Sequence, residues 1–194
     1  MYAHRALVDV QLNVKGMKTL YDSFRDYVAV ETLEGDNKYF AEGYGLQDAK
    51  KGVIFEKFPP VLHLQLKRFE YDVMRDAMVK INDRIEFPTK IDLTEFLSEA
   101  ADRSVRQMYH LHGVLVHCGD VHSGHYCAFL KPAVDKGWYK FDDDRVVGVS
   151  ERDAVEENYG DSEPISAHLG RGRQSLPKKF TNACMFYRTP VALP

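Results

Sequence analysis

The sequence has few cysteines and no long apolar run, and both features exclude classes of protein. Only three of its 194 residues are cysteine, at Cys118, Cys127 and Cys184. An odd, widely spaced set of this kind forms no disulfide framework, so we expect a reducing intracellular location, in the nucleus or the cytoplasm. The apolar stretches are far shorter than the roughly 20 residues of a membrane-spanning helix. The amino terminus also lacks the apolar core of a secretory signal, and we therefore expect no membrane partner.

The sequence also lacks an excess of charge of either sign. It has 26 Lys and Arg residues against 29 Asp and Glu residues, a net charge of −3 with neutral histidine. Such a balance creates no general field for nucleic acid. Basic residues do occur in residues 161–180, but no aromatic residues interleave them, and this segment is predicted to be a solvated polar loop. We expect no nucleic-acid partner.

The pattern that is present is the period-two alternation of half-buried strands. It predicts the following strands: residues 8–14, 61–69, 109–117, 126–131, 138–142 and 181–187. Residues 17–27 have the three-four apolar spacing of an amphipathic helix, and residues 151–158 are predicted to form a short capped helix. Residues 70–81 read as a polar loop. These elements predict an α+β fold dominated by antiparallel sheet.

Five of the eight histidines lie within residues 110–125, so a metal site is one interpretation. His110 and His112 would share one face of a strand, as two zinc ligands could. A third ligand would have to come from elsewhere, and no cysteine pair with ligand spacing accompanies them. We therefore favour the polar side of a strand and predict no metal.

A geometric argument singles out His125. If residues 132–135 form a four-residue hairpin loop, the strands on either side pair so that His125 lies opposite Asp142, and Phe129 lies opposite Trp138. Directly opposed side chains have Cβ atoms about 5 Å apart. A histidine held by a carboxylate at that range forms the base and the orienting residue of a nucleophile–base–orienter triad. Asp143 is predicted to point to the opposite face. A purely structural His–Asp hydrogen bond is the alternative.

Several motifs resemble those of the ubiquitin-specific proteases, a family of papain-like cysteine deubiquitinases with thumb, palm and fingers. The histidine box of that family resembles Gly124-His125-Tyr126 followed by residues 141–144, and similar segments occur over residues 62–69, 81–88 and 181–185. Residues 35–39, 45–49 and 157–160 are similar to the herpesvirus-associated (type 7) branch of the family. The resemblance covers nearly the whole chain except the 161–180 loop.

The resemblance implies a fold made of the antiparallel-sheet-rich palm and fingers portion of such a domain. Residues 1–60 would form fingers and part of the palm, and residues 61–194 the palm with its histidine box. The family carries its nucleophilic cysteine in an Asn, Gly, Thr-Cys-Tyr type of box in the thumb, and these 194 residues contain no such box. We therefore expect the thumb segment to be missing, and the chain alone to be inactive.

The resemblance also implies roles for individual residues. His125 would be the general base, Asp142 its orienting residue and Asp143 an auxiliary acid. The substrate-binding residues would line or flank the channel for the carboxyl-terminal tail of ubiquitin: Phe69, His117, His122, Gly124 and Tyr126. The structural alternatives to these roles are a core residue for Phe69, a turn carboxylate for Asp143 and a strand histidine for His117.

The family resemblance predicts a hydrolase that cleaves isopeptide or peptide bonds at the carboxyl-terminal glycine of ubiquitin, with ubiquitin, ubiquitinated proteins and the missing thumb segment as partners. Residues 41–44 stand where many members carry paired zinc-binding cysteines, so no zinc and no cofactor are expected. The alternative function is a non-catalytic module that binds ubiquitin or another protein.

Overall fold

The computed structural model describes residues 9–160 in full and the backbone of residues 181–188. It contains two α-helices, which are α1 (Leu20–Tyr27) and α2 (Glu151–Ala154). The strands in chain order are β1 (Val10–Asn13), β2 (Glu31–Leu33), β3 (Tyr39–Ala41), β4 (Gly45–Gln47), β5 (Ala49–Lys51), β6 (Val61–Lys67), β7 (Phe69–Asp72), β8 (Ala77–Lys80), β9 (Lys90–Asp92), β10 (Met108–Gly119), β11 (Gly124–Leu130), β12 (Trp138–Asp142), β13 (Arg145–Val149) and β14 (Thr181–Arg188). Within these described residues, no helix is both long and apolar enough to cross a membrane.

One large sheet organises the fold. Its strands run in the order β1-β6-β14-β10-β11-β12-β13, and β9 pairs with β10 beside this path. All of its pairs are antiparallel except β1 with β6. Three small two-stranded sheets, β2-β5, β3-β4 and β7-β8, stand outside it. The predicted α+β class with mainly antiparallel sheet is confirmed, whereas the boundary between fingers and palm stays a prediction.

The core forms where the alternating strands meet α1. Strand β6 buries every second residue, Leu62, Leu64 and Leu66, as the period of two predicts. Helix α1 begins at Leu20 rather than at the predicted residue 17, because Thr19 and Asp22 form a capping box that fixes its first turn. The helix turns Leu20 and Phe24 fully inward, where Phe24 packs against further aromatic rings of the core.

The prediction of a polar loop over residues 70–81 is wrong. The segment is a hairpin of β7 and β8, with Tyr71 paired to Met78. Both side chains are exposed, and no residue of either strand is fully buried, so the sequence shows no clear alternation of apolar residues. For the same reason β13 was not predicted, since Val146 and Val147 are consecutive apolar residues on an exposed strand. The predicted loop over residues 161–180 lies outside the described residues.

Candidate functional site

The predicted base and orienting residue meet at the ends of β11 and β12. Nε2 of His125 lies 2.6 Å from Oδ1 of Asp142, within the predicted hydrogen-bond distance. Oδ2 of Asp143 is farther from the same nitrogen, at 4.0 Å. The imidazole is about half exposed, at 49%, so it remains accessible from solvent. The predicted contact of His125 with Asp142 and the greater distance of Asp143 are confirmed, whereas the catalytic roles of the three residues stay predictions.

The predicted register of the β11–β12 hairpin is wrong by two residues. Phe129 pairs with Lys140 rather than with Trp138, so His125 reaches Asp142 diagonally instead of from directly opposite. The predicted four-residue loop was too short, since β11 ends at Leu130 and β12 begins at Trp138, so that residues 131–137 connect the two strands. A shift of two residues preserves the face of every side chain, and the His125–Asp142 contact therefore survives.

The prediction that strand alternation turns Asp143 to the opposite face is also wrong. Asp142 pairs with Arg145, so Asp143 occupies the tight turn between β12 and β13. Its φ of 51° lies in the left-handed region, which aspartate tolerates better than most residues. Its carboxylate is 79% exposed. The structural alternative of a turn carboxylate thus describes its position.

The charges around Asp142 keep its carboxyl ionised. Nζ of Lys140 donates a short hydrogen bond to Oδ2, while His125 occupies Oδ1. The contact with Lys140, and then the one with His125, lowers the pKa of Asp142 from its usual value. A carboxylate only accepts hydrogen bonds, so His125 donates its Nε2–H and the lone pair lies on Nδ1. This arrangement fixes the tautomer and the orientation of the imidazole.

A second group of predicted site residues lies on the other face of the same strands. The ring of His117 is 5.5 Å from that of Phe69 and 4.6 Å from that of Tyr126, measured between centroids. His117 and Tyr126 are paired across β10 and β11, one step before the pair of Cys118 with His125. Successive residues alternate faces, so this aromatic cluster is separated from His125 by the sheet. Phe69 is 37% exposed and is therefore not a core residue.

Lys80 completes this aromatic cluster and was missed by sequence reasoning. Its Nζ lies 3.1 Å from Nδ1 of His117 and also donates to the carbonyls of His117 and Gly119. Burial lowers the pKa of Lys80, and burial followed by the charge of Lys80 lowers the pKa of His117. The sequence placed Lys80 in a supposed polar loop, so no local signal indicated this contact.

The structure places His122 and Gly124 in different surroundings, although both were predicted to line or flank the same channel. His122 is exposed in the loop between β10 and β11, where Asp120 accepts hydrogen bonds from the amides of His122 and Ser123. Gly124 begins β11 and lies against His117. The structure thus brings Gly124 into the aromatic cluster and leaves His122 at the loop surface.

One group of potential metal ligands occurs among the described residues. Ligand atoms of His125, Asp142 and Asp143 all lie within 4.8 Å of one another. The ammonium group of Lys140 already neutralises Asp142, and its positive charge opposes the approach of a cation. The predicted histidine pair, His110 and His112, is not part of this group. The arrangement suits proton transfer better than metal coordination, and the absence of a metal stays a prediction.

The cysteines near this site differ in their environment. Cys118 lies directly across the ladder from His125 at the end of β10, rather than in the loop that follows. Cys127 is buried, and burial raises the pKa of its thiol to about 11. Both thiols are free. The side chain of Cys184 lies outside the part of the chain that the structure describes.

Comparisons with known sequences all indicate the same protein family. The family model described as ubiquitin carboxyl-terminal hydrolase matches residues 11–173. Ubiquitin carboxyl-terminal hydrolase 15 of Schizosaccharomyces pombe is 61% identical over 91% of this chain, which spans 16% of that protein. Ubiquitin C-terminal hydrolase 12 of Arabidopsis thaliana is 59% identical over 89% of the chain and 16% of its own length. Ubiquitin carboxyl-terminal hydrolase 7 of Drosophila melanogaster is 52% identical over 85% of the chain and 14% of its own length.

Solved structures give the same fold. The SAGA DUB module of Ubp8, Sgf11, Sus1 and Sgf73 bound to monoubiquitin matches with a TM-score of 0.69 and 30% identity, over 94% of this chain and 35% of the matched chain. The same module bound to ubiquitin aldehyde matches with a TM-score of 0.69 and 29% identity, over 94% of this chain and 36% of the matched chain. The described chain therefore has the fold of part of a larger catalytic domain.

Proposed function

This chain belongs to the ubiquitin carboxyl-terminal hydrolase family, and we propose that it supplies the proton-transfer half of a thiol-dependent deubiquitinase site. The reaction is hydrolysis of isopeptide or peptide bonds at the carboxyl-terminal glycine of ubiquitin. The observation that carries the proposal is the 2.6 Å contact between Nε2 of His125 and Oδ1 of Asp142. It leaves Nδ1 of a half-exposed imidazole to accept a proton.

In the proposed reaction His125 first accepts a proton from the thiol and then donates it to the leaving amine. Nδ1 takes the proton of a cysteine thiol, and the thiolate attacks the carbonyl carbon of the terminal glycine. The resulting imidazolium then donates the proton to the leaving amine as the carbon–nitrogen bond breaks, which leaves ubiquitin joined to the cysteine as a thioester. Water then attacks the thioester while Nδ1 takes its proton, and the step releases the terminal carboxyl group and returns the proton to the departing thiolate. Asp142 holds the ring orientation and stabilises the imidazolium charge throughout. Asp143, 4.0 Å from Nε2, adds a second negative charge beside the ring.

We propose that the nucleophilic thiol comes from outside these 194 residues. Cys127 is unsuited because it is buried and its raised pKa keeps it a thiol. Cys118 lies across the ladder from His125 on the same face and is partly exposed, so the adduct test below must distinguish it from an external thiol. A thumb-type segment bearing the cysteine is then the partner that completes the site, and the isolated chain is inactive.

Ubiquitin and ubiquitinated proteins are the proposed substrates. The two solved structures of similar fold that contain ubiquitin or ubiquitin aldehyde support this choice. Phe69 and Tyr126, exposed beside the buried His117, are proposed to contact the substrate tail away from the scissile glycine, because the sheet separates this cluster from His125. The two free thiols agree with a proposed location in the reducing interior of the cell, in the nucleus or the cytoplasm.

A chimera tests the proposal. The chain replaces the matching segment of the Schizosaccharomyces pombe hydrolase 15, and turnover of a fluorogenic ubiquitin substrate is measured. We expect turnover by the chimera and its loss in His125→Ala, with no turnover by the isolated chain.

The isolated chain is also treated with ubiquitin that carries a carboxyl-terminal electrophile. A specific adduct at Cys118, Cys127 or Cys184 would contradict an external nucleophile. An inactive, folded chimera that still binds ubiquitin in calorimetry would favour the non-catalytic ubiquitin-binding module instead.

A further inference from the structure

Both oxygens of the Asp142 carboxylate are engaged by different partners. Oδ1 accepts the hydrogen bond from Nε2 of His125 at 2.6 Å. Oδ2 accepts a hydrogen bond from Nζ of Lys140. The carboxylate thus bridges an ammonium group and an imidazole, and its plane is fixed by two contacts instead of one.

Lys140 is well placed to fix that plane. It precedes Asp142 by two residues on β12, so both side chains leave the same face of the sheet. In the ladder it lies opposite Phe129, which is buried. The side chain of Lys140 is only 30% exposed, so its aliphatic part is held against the sheet while its ammonium group reaches the carboxylate. The hydrogen bond to Asp142 raises the pKa of Lys140 and keeps it charged.

A second carboxylate competes for the same imidazole. Oδ2 of Asp143 lies 4.0 Å from Nε2 of His125, and a rotation of its exposed side chain would shorten that distance. Asp143 stands in a turn, whereas Asp142 ends a paired strand. In the structure Asp142 is the nearer carboxylate, at 2.6 Å against 4.0 Å. The ammonium group of Lys140 contacts Asp142 and distinguishes the two.

We propose that Lys140 is a positioning residue that holds the Asp142 carboxylate, so that Nε2–H of His125 bonds to Asp142 rather than to Asp143. Lys140 acts through Asp142 and contacts no reacting atom. The consequence for catalysis rests on the proposed function, but the placement of the carboxylate does not. It follows that loss of Lys140 makes the two carboxylates nearly equivalent partners of His125.

The test measures the ring ¹⁵N chemical shifts of His125 in the 194-residue chain by NMR at neutral pH. With Lys140 present, we expect Asp142→Asn to change these shifts and Asp143→Asn to leave them nearly unchanged. In the Lys140→Met background, the two Asn variants should change them by similar amounts, because Asp143 now shares the imidazole. Lys140→Arg should restore the original difference, since arginine keeps the charge and the reach.

Lys136→Met is the matched control, because Lys136 lies in the loop before β12 and pairs only weakly with Asp135, at 3.9 Å. It should preserve the difference between the two Asn variants. Amide spectra and thermal melts establish that each variant is folded. A difference that persists unchanged in Lys140→Met, or one that Lys136→Met also abolishes, would overturn the proposal.

Turnover gives the second readout. In the active chimera, we expect Lys140→Met to lower kcat about tenfold with little change in KM, as loss of an oriented charge-assisted hydrogen bond predicts. An equal rise in KM with unchanged kcat would contradict a positioning role. If the chimera itself is inactive, the proposed function fails, and the NMR comparison still decides the placement of Asp142.

Discussion

Gly124 lies directly against the ring of His117. A Cβ atom built on Gly124 would overlap the Nε2–Cε1 edge of that ring and would lie 2.9 Å from the carbonyl oxygen of Cys118. The ring cannot move aside freely, because His117 is buried and Lys80 contacts its Nδ1. Glycine at position 124 is therefore a packing requirement of the aromatic cluster.

We expect Gly124→Ala to lower the free energy of unfolding by about 2 kcal/mol, the usual cost of forcing a methyl group into a filled site. Urea unfolding followed by circular dichroism measures the change. Gly137→Ala is the matched control, because nothing lies within 4 Å of its Cβ position. Equal stability of the two variants would show that His117 yields to the added methyl group.

The two carboxylates near His125 should differ in their contribution to catalysis. In the chimeric enzyme, we expect Asp142→Ala to reduce kcat by a factor on the order of 10³, because the imidazole loses the group that fixes its tautomer. Asp143→Ala should cost about tenfold or less, since its oxygen is 4.0 Å from Nε2. Steady-state kinetics with a fluorogenic ubiquitin substrate measures both. A larger loss in Asp143→Ala would require Asp143 to be the orienting residue.

Burial of His117, together with the nearby charge of Lys80, lowers its pKa and makes the stability of the aromatic cluster depend on pH. The folded chain lowers the pKa of His117, so the unfolded chain binds its proton first as the pH falls. The stabilisation is complete above the unfolded value near 6.5 and is lost as the pH falls towards the folded value. We expect unfolding free energy to decrease between pH 7.5 and 5, measured by urea titration at each pH.

The variant His117→Gln should show a smaller decrease over that range. His110, whose pKa burial also lowers, contributes to the slope of both proteins, so the comparison isolates His117. His122→Gln is the control, since His122 lies in the exposed loop and makes no contact with Lys80 among the bonds described. An unchanged slope in His117→Gln would mean that another group causes the acid sensitivity.

Arg68 is a buried residue that links three segments of the chain through hydrogen bonds. Its guanidinium is only 1% exposed and donates hydrogen bonds to the carbonyls of Ile81, Asp83 and Tyr159. We expect Arg68→Met to lower the free energy of unfolding by about 3 kcal/mol, because these carbonyls lose charged donors. Thermal and urea unfolding measure the loss.

Arg84→Met serves as the comparison for Arg68. Arg84 is about half exposed, pairs with Glu86 and stacks 5.0 Å from the ring centroid of Tyr159. Exposed pairs and stacked cations contribute about 1 kcal/mol or less. A cost for Arg68→Met no greater than that for Arg84→Met would contradict the role of Arg68 as a buried link.

Local patterns were sufficient for the elements with one buried face. The strict alternation of residues 61–67 predicted β6, and the three-four spacing predicted α1 apart from its first turn. The same approach failed for the β7–β8 hairpin and for β13. Their side chains are largely exposed on both sides, so burial imposed no period on the sequence.

The sequence by itself determined that His125 and Asp142 share a face, because side chains alternate with a period of two and any even register preserves that relation. Only the tertiary structure decided the register itself, in which Phe129 pairs with Lys140, because the sequence does not mark where the connecting loop of residues 131–137 begins and ends. It also decided which polar groups meet. Lys80 on β8 contacts His117 on β10, and no local pattern encodes a contact between segments that only folding brings together.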